Sequence, residues 1–511
     1  MSGIIQMLKE DAAVGGKPRR VSIARNTMWN FGGQICPMLL AAVAIPLLIH
    51  HLGVDRFGIL SLVWILVGYF SLFDFGVGRA ITKLLAETIA IGQWERASAL
   101  IYAAIFSMIL VGTAFGGALF AVAPWLSHSI LKIPPYLQDE TMRSLPWLAI
   151  TVPFVTVTCG FKGVLEAQQH FALVNSLRAA FGIFNYLVPL AVLLFSDSLV
   201  PIVMAQAAAR IVTCGLYFWA CKRGTPHLWG HSRWNSTAFR ALFRFGSWLT
   251  VSNILSPIMV YLDRFLIGSI ASVSSVAYYS APFDAVTKLW MVPSSLEGVL
   301  FPAFSEADAL NDRQRLSSLY QRSIAVAVSL LFPVVLAIVL FAPEILRVWL
   351  GQNFADHSSA VLQILAIGVF TNSLAHLPYS LLQASGRPDL TAKLHFAEVP
   401  FYVVLLYYGV RLGGIEGAAL AWTVRLTVES VILFVMLRGL LAPQFWMSAA
   451  AGFAALVTAC FVPTLLIKSL FFVGCVGIFA RVTWRWTLDD YLRFRVRSWL
   501  KAVPVLNKAS A

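Results

Sequence analysis

The segment IAVAVSLLFPVVLAIVLFA, residues 324–342, contains nineteen consecutive residues without a charged side chain. An α-helix rises about 1.5 Å per residue, so a segment of this length nearly crosses the roughly 30 Å hydrocarbon layer of a membrane. Arg313, Arg315 and Arg322 precede it, and such a basic flank is typical of the cytoplasmic end of a membrane-spanning helix. The segment therefore predicts a transmembrane helix, and comparable segments recur along the chain.

The composition supports the same interpretation. Of the 511 residues, 59% are hydrophobic and 12% are charged, which is about half the charged share of a soluble domain. We therefore predict an all-α polytopic membrane protein with about fourteen transmembrane helices. The predicted spans are 27–51, 57–85, 99–126, 145–165, 173–195, 199–220, 242–270, 273–303, 324–342, 360–382, 394–410, 415–437, 445–467 and 470–480.

The basic residues indicate the orientation of these spans. Clusters of them lie in the N-terminal arm, in 222–240, in 313–322 and in the tail 493–501, all on one side of the membrane in the predicted topology, and about 24 basic residues fall on that side against about 6 on the other. Because cytoplasmic loops carry the excess of Lys and Arg, we expect both termini in the cytoplasm of a bacterial inner membrane. The net charge of +14 then reflects topology, and no nucleic-acid partner is predicted. The outer loops are expected to be short, the longest covering about 127–143.

Two pairs of motifs indicate an internal repeat. Leu165-Glu166-Ala167 corresponds to Leu382-Gln383-Ala384, and Trp29 corresponds to Trp248, both with an offset near 220 residues. Six helices per copy would give both copies the same orientation, related by an axis along the membrane normal. The predicted organisation is an N-terminal arm (1–25), an N-lobe (26–221), a linker (222–241), a C-lobe (242–440), two further helices (441–487) and a basic cytoplasmic tail (488–511).

Charged residues inside the predicted spans are the candidate functional residues, because each costs roughly 2.5–3.5 kcal/mol near the bilayer centre. Some of these residues could have a structural role instead. Arg79 and Lys83 are near enough to the cytoplasmic surface for their charged ends to extend into water, and Asp263-Arg264 is a possible clamp between helices. Asp284 and Lys288 are four residues apart, as are Arg425 and Glu429, so each pair could be satisfied locally. The candidate cations are Arg79, Lys83, Arg210, Lys288 and Arg425, and the candidate acids are Asp74, Asp263, Asp284, Glu398 and Glu429.

The balance of these charges predicts an anionic ligand. Cations at least match acids in the inner part of the spans, and Arg210 has no acid within one helical turn. Guanidinium groups suit phosphate oxygens, so a buried cationic path favours a phosphate-bearing substrate. The acids would bind the coupling proton or sodium ion. No metal-ligand spacing and no nucleophile–base arrangement occurs, so neither a cofactor nor an enzyme is predicted.

Several motifs resemble those of a known family, the Wzx-type polysaccharide and O-antigen flippases. The resemblance covers about 22–440 and extends to the wider superfamily that includes MATE drug exporters and the lipid II flippase. Arg79 departs from the pattern, since a small residue is expected after the glycine pair. The motifs are Leu52-Gly53-Val54-Asp55-Arg56-Phe57-Gly58, Phe73-Asp74-Phe75-Gly76-Val77-Gly78 with Ala86-Glu87, Leu262-Asp263-Arg264-Phe265-Leu266-Ile267-Gly268 with Val276-Ala277-Tyr278-Tyr279, Leu382-Gln383-Ala384-Ser385-Gly386-Arg387-Pro388 and Gly414-Ile415-Glu416-Gly417-Ala418-Ala419.

The resemblance implies two six-helix lobes in a V around a cationic cavity. It also implies ion-coupled transfer of an undecaprenyl-diphosphate-linked oligosaccharide between the membrane leaflets, with a polysaccharide polymerase and chain-length or export proteins as partners. Three alternatives stay open: a MATE-like antiporter of cationic drugs, a lipid II-type flippase, and a glycan polymerase or ligase. The first would need an acidic excess, and the last a sizeable outer loop with catalytic groups.

Overall fold

The computed structural model describes residues 23–70, 77–168, 170–224, 226–229, 259, 261–441 and 443–482. Within these ranges all regular secondary structure is helical. Short 3-10 turns join α8 to α9 (Thr287–Trp290) and follow α13 (Arg438–Leu440). The helices are α1 Ile23–Phe70, α2 Val77–Ala90, α3 Trp94–Trp125, α4 Pro135–Ala167, α5 Phe171–Leu193, α6 Leu199–Gly224, α7 261–270, α8 Val273–Val286, α9 Met291–Ala309, α10 Arg313–Leu340, α11 Ala342–Leu350, α12 Gln352–Ala384, α13 Pro388–Met436, α14 Pro443–Ala459 and α15 Leu465–Val482.

The described helices have the length and the apolar composition of membrane spans. Eight of them are long and apolar enough to cross a bilayer, and two shorter apolar helices lie within α14 and α15. Large apolar side chains such as Phe195 and Leu412 are almost fully exposed on the outside, as expected of a surface that lipid covers. The predicted all-α polytopic fold is confirmed, whereas the number of crossings stays a prediction.

Two of the longest helices contain a sharp corner at a glycine. Gly53 in α1 has φ +77° and Gly414 in α13 has φ +57°, a left-handed region that side chains with a Cβ disfavour. Each corner lies where the sequence predicts a break between two spans. As a result, the second half of α13 folds back along the first half and brings Arg425 over the ring of Tyr402.

The chain divides into two compact units, with the boundary inside α8 after Ser280. In the first unit α4 packs against α3 and α6, and in the second unit α12 packs against α13 and α10. Both central helices have 33 residues. In each of them, 67% of the most apolar 18-residue stretch is buried. They end in the two matched motifs, at Ala167 and Ala384. The repeat and the lobe boundaries remain predictions, and most of the predicted linker lies outside the described residues.

Two predicted boundaries are wrong. The outer loop expected over 127–143 is largely helical, because Pro134 and Pro135 start α4 ten residues before the predicted span. Near the C-terminus the break lies at 460–464, where Pro463 interrupts the helix, and not near residue 468. Lys468 instead lies inside α15 and is 6% exposed, because it donates hydrogen bonds of 2.8 and 3.0 Å to the two carboxylate oxygens of Glu344.

Candidate functional site

The first unit contains a buried arginine whose neighbours among the described residues are all neutral. Arg210 projects from α6, is 9% exposed and lies with its guanidinium 5.1 Å from the ring centre of Phe181 on α5. Its Nη2 donates a long hydrogen bond of 3.4 Å to Asn185 Oδ1, one turn further along α5. No carboxylate of the described residues lies within 4.0 Å of it. A buried guanidinium without a counterion is costly, so this position favours an anionic ligand.

Asn185 is itself held in place by α6. Gln206, one turn before Arg210, donates from Nε2 to the backbone oxygen of Asn185 at 3.3 Å. Two α6 side chains therefore meet the same turn of α5, one at the amide side chain and one at the backbone. This arrangement fixes the guanidinium over the aromatic ring, where the cation is attracted to the face of the ring.

The second unit also contains a buried arginine that stacks on an aromatic ring, but its neighbours are different. Arg425 lies on the second half of α13, is 7% exposed and stacks 5.0 Å from the ring centre of Tyr402 on the first half. Its Nε is buried and has no hydrogen-bond acceptor among the described residues. The structure contains no ion pair within 4.0 Å between Arg425 and Glu429, although their spacing permits one. The carboxylate of Glu429 is paired elsewhere.

A histidine joins two buried carboxylates beside Arg425. His395 Nδ1 lies 3.7 Å from Glu398 Oε2 and 3.8 Å from Glu429 Oε1. Both carboxylates are buried, and neither oxygen of Glu398 accepts a hydrogen bond from the described residues. One atom from each of the three residues lies within 4.8 Å of the others. Two acids at this distance disfavour double ionisation, so the group is suited to take up one positive charge, either a proton or a small cation.

A second histidine–acid pair lies near this group. His376 on α12 and Glu297 on α9 are joined by a 3.0 Å contact between Nδ1 and Oε1, and both are about one quarter exposed. His376 follows Thr371 by five residues on α12, and the backbone oxygen of Thr371 accepts a 3.0 Å hydrogen bond from Ser430, next to Glu429. Sequence analysis did not identify His376 and His395, because only lysine, arginine and acidic residues inside the spans were candidates, and it also did not identify Glu297, an acid inside the span 273–303. Their occurrence within the spans 273–303, 360–382 and 394–410 was the available signal.

Asp263 and Arg264 form a closed ion pair. Asp263 Oδ1 accepts from the backbone N–H and from Nη1 of Arg264, at 2.8 and 3.0 Å, and Oδ2 accepts from the Tyr279 hydroxyl at 2.7 Å. Both charged side chains are almost completely buried. Because each carboxylate oxygen already has donors, the geometry favours a structural clamp between α7 and α8 over ion binding.

The remaining predicted site residues are only partly described. Lys288 is exposed in the 3-10 turn after α8, and the structure records no ion pair between it and Asp284. The backbone of Arg79 and Lys83 lies in α2, but their side chains are outside the described residues. Asp74 is outside them altogether. The structure therefore brings together Arg425, Glu398 and Glu429, while Arg210 and Asp263 each have their own surroundings.

The motif residues near Gly53 form a polar corner of the first unit. Arg56 Nε donates to Glu140 Oε2 at 3.1 Å, and Glu140 Oε1 accepts from Ser198 Oγ at 2.8 Å and from the backbone N–H of Leu199. Asp55 accepts from Tyr136 and Ser274. Glu140 thus caps the N-terminus of α6, where a negative charge is favourable. These contacts tie the ends of four helices together and indicate a structural role.

Long apolar helices that hold buried cations and acids define a multi-pass membrane protein. Known folds agree with this class. A lipid II flippase, MurJ, in an inward closed conformation matches with a TM-score of 0.67 at 12% identity, covering 90% of this chain and 99% of that one. A multidrug resistance MATE family transporter in an inward-facing conformation matches with a TM-score of 0.66 at 15% identity, covering 81% and 97%.

Sequence comparison identifies the family. The profile of the polysaccharide biosynthesis protein family matches residues 23–308, more than half of the chain, and the MatE profile matches 249–408. A putative O-antigen transporter of Shigella flexneri is 29% identical over 81% of this chain and 97% of its own length. A probable low-salt glycan biosynthesis flippase, Agl15, of Haloferax volcanii is 24% identical over 81% of this chain and 83% of its own. The chain belongs to the polysaccharide biosynthesis protein family, as the Wzx-type motifs predict, and it is a membrane transporter rather than an enzyme.

Proposed function

We propose that this protein is a flippase that moves undecaprenyl-diphosphate-linked oligosaccharide units across the bacterial inner membrane for the export of exopolysaccharide, capsule or O-antigen. The names of the relatives, an O-antigen transporter and a glycan biosynthesis flippase, support this substrate class. Both termini would lie in the cytoplasm, and the unit would pass from the cytoplasmic to the outer leaflet. Transport would proceed by ion-coupled alternating access.

The observation that carries the proposal is the environment of Arg210. Its guanidinium is buried among aromatic and amide groups, and the described residues supply no negative charge within 4.0 Å that would compensate its desolvation. A diphosphate supplies that charge together with oxygens that match the guanidinium donors. Arg79, Lys83, Lys288 and Arg425 remain the other proposed contacts for the diphosphate along the path.

The group of His395, Glu398 and Glu429 is the proposed coupling centre. Its carboxylates are buried near a histidine, which changes charge close to neutral pH, so the proton is the favoured coupling ion. Binding a proton there would neutralise part of a negative cluster and alter its attraction to Arg425. Asp74 and Asp284 stay further candidates, while the closed ion pair makes Asp263 the least suitable.

The test uses the full-length protein in proteoliposomes with undecaprenyl-diphosphate-N-acetylglucosamine as the probe, measuring its transfer between leaflets. Arg210→Gln is expected to lower the rate roughly 100-fold, which corresponds to about 3 kcal/mol and to the loss of a buried charged contact. Arg210→Lys, which keeps the charge, is expected to recover part of the rate. Arg178→Gln, which removes an exposed arginine of α5, is the matched control and should leave transfer unchanged.

Failure of the wild-type protein to transfer this probe and longer lipid-linked oligosaccharides would contradict the proposed function. Full activity of a correctly inserted Arg210→Gln variant would contradict the role of Arg210 alone. Insertion is checked by size-exclusion chromatography and by thermal unfolding in detergent.

A second candidate function is antiport of cationic compounds. The observation in its favour is the acidic group on α13, which lies partly within the region that the MatE profile matches, 249–408. Drug susceptibility of an exporter-deficient host that produces this protein distinguishes the two candidates. A flippase is expected to give no resistance, whereas an antiporter would raise the tolerated drug concentration.

A further inference from the structure

The coupling group of the second unit has a partly exposed neighbour that the sequence motifs do not include. Glu297 and His376 form a pair at 3.0 Å, with side chains 27% and 29% exposed, whereas Glu398 and Glu429 are 8% exposed. The pair comes from α9 and α12, and the buried acids come from α13. Three helices therefore contribute ionisable groups to one region, in which burial increases from Glu297 and His376 to Glu398 and Glu429.

Among the described residues, the charges of this region do not balance without added protons. The titratable and charged groups recorded around it are Glu297 on α9, His376 and Tyr379 on α12, and His395, Glu398, Tyr402, Arg425 and Glu429 on α13. Three ionised carboxylates against one guanidinium leave two negative charges when both histidines are neutral. Burying such an excess is unfavourable, and two histidines are the groups that can take up two protons near neutral pH.

We propose that Glu297 and His376 form a proton relay that connects the exposed side of α12 with the buried group of His395, Glu398 and Glu429. The proposal rests on the proposed function, because it assigns the route by which protons reach the proposed coupling centre. Glu297 gives its proton to His376 at Nδ1, and the imidazolium releases a proton from Nε2 toward Glu429. One proton moves inward and leaves His376 with its proton on Nδ1. A flip of the imidazole ring brings the unprotonated nitrogen back to Glu297, which is protonated again from the exposed side, so both groups return to their starting state.

The positions of the side chains agree with this direction. Ser430, next to Glu429, donates to the backbone oxygen of Thr371 at 3.0 Å, five residues before His376, so α12 carries His376 alongside the part of α13 that bears Glu429. Tyr379 lies one turn after His376 on α12, and its ring centre is 6.0 Å from that of His395. Exposure falls from Glu297 and His376 to Glu398 and Glu429, which places the entrance at the pair. An ion pair between Glu297 and His376 that only stabilised the fold would not need to lie beside the buried acids. The relay and the structural role can therefore be separated by experiment.

The first experiment measures protonation without transport. Protein labelled with ¹⁵N-histidine in lipid bilayers is titrated by solid-state NMR, and the signals of His376 and His395 are assigned from the His376→Gln and His395→Gln variants. Coupled sites respond to each other, so Glu297→Gln is expected to shift the midpoints of both histidines by about one pH unit, a tenfold change in proton affinity. Glu306→Gln, at the exposed end of the same helix, should shift neither.

The second experiment measures transfer of undecaprenyl-diphosphate-N-acetylglucosamine in proteoliposomes, with and without a proton gradient. His376→Gln and Glu297→Gln are expected to lower gradient-driven transfer roughly tenfold and to move its pH optimum, while exchange without a gradient stays near the wild-type rate. His357→Gln, an exposed histidine on the same helix, is the control.

Unchanged histidine midpoints in Glu297→Gln, or an unchanged pH profile of transfer in His376→Gln, would overturn the relay. A wild-type protein that transfers no lipid-linked sugar would overturn the proposed function instead, and the NMR titration would still test the relay. If His376→Gln does not fold, the Glu297→Gln titration decides.

Discussion

Arg210 and Arg425 each lie over an aromatic ring, but their electrostatic environments among the described residues are opposite. Each guanidinium lies about 5 Å from an aromatic ring on the preceding helical segment, Phe181 in the first unit and Tyr402 in the second. Arg210 then contacts a neutral amide, whereas Arg425 adjoins two carboxylates and a histidine. One arginine can therefore attract an anion directly, while the other is set within a group that takes up positive charge.

This difference separates two tasks that a coupled transporter must perform. A permanently charged, uncompensated cation suits substrate binding, because a guanidinium does not lose its proton at any physiological pH. A mixed group with acids and histidines suits coupling, because its net charge changes when a proton binds. The same stacked arginine thus serves two chemistries, and the residues around it decide which one.

The largest effect is expected when the first unit is made to resemble the second. Asn185→Asp places a carboxylate where Asn185 Oδ1 now lies, 3.4 Å from Arg210 Nη2. The new ion pair would compensate the guanidinium and compete with the substrate diphosphate. Transfer of the lipid-linked sugar probe should fall roughly 100-fold, or about 3 kcal/mol, with unchanged or increased thermal stability.

Asn175→Asp, which introduces a carboxylate at an exposed position of the same helix next to Arg178, is its matched control. Normal transfer by Asn185→Asp would mean that Arg210 does not meet the anion, and the comparison between the two arginines would lose its functional content.

A smaller loss is expected when the second unit is made to resemble the first. Glu398→Gln and Glu429→Gln each remove one acid from the group around His395 and leave Arg425 less compensated. Stimulation of transfer by a proton gradient should disappear, roughly a tenfold loss, while exchange without a gradient persists. Glu416→Gln, an exposed acid of the same helix, should keep the stimulation. Stimulation that survives in the double variant would place the coupling group elsewhere.

Much of the fold could be predicted from the length of the apolar segments. A segment such as that of α10 can cross a membrane by itself only as a helix, because its backbone groups must be hydrogen-bonded within the segment. The isolation of Arg210 was also predictable, since no acid lies within one turn of it. The surroundings of Arg425 were not, because His395 and Glu398 reach it only after α13 turns at Gly414. Glu297 and His376 come from two further helices. Because they are about eighty residues apart in the sequence, no short spacing indicates that they are in contact.

The units also differ because the second one bears α14 and α15, held by the ion pair of Lys468 and Glu344. Burial raises the pKa of Glu344, but the hydrogen bonds from Lys468, the backbone hydrogen bond to Glu344 and the charges of Lys468 and Arg347 together lower it by more, so the pKa lies below its ordinary value of 4.5. This contribution to stability is therefore present above about pH 4.5 and is lost as the pH falls through the lowered pKa.

Removal of the acid leaves a buried charge, so Glu344→Gln should destabilise the protein by about 2 kcal/mol, measured by thermal unfolding in detergent. Lys468→Met should cost only about 1 kcal/mol, because Glu344 is 37% exposed and can be hydrated. An equal cost for the two variants would contradict this asymmetry, and transfer of the probe should be normal in both.

The smallest expected effect concerns the feature that the two arginines share. Phe181→Leu and Tyr402→Leu each remove an aromatic ring from beneath a guanidinium, which should cost about 1 kcal/mol in thermal unfolding. Phe184→Leu, at an exposed position one turn along α5, is the control and should cost less. Because Phe181 and Asn185 are the partners that position Arg210, Phe181→Leu should also slow transfer severalfold, whereas Tyr402→Leu should act mainly on the response to the proton gradient. Identical transport phenotypes would show that the two arginines serve one task, and the division between substrate binding and coupling would be wrong.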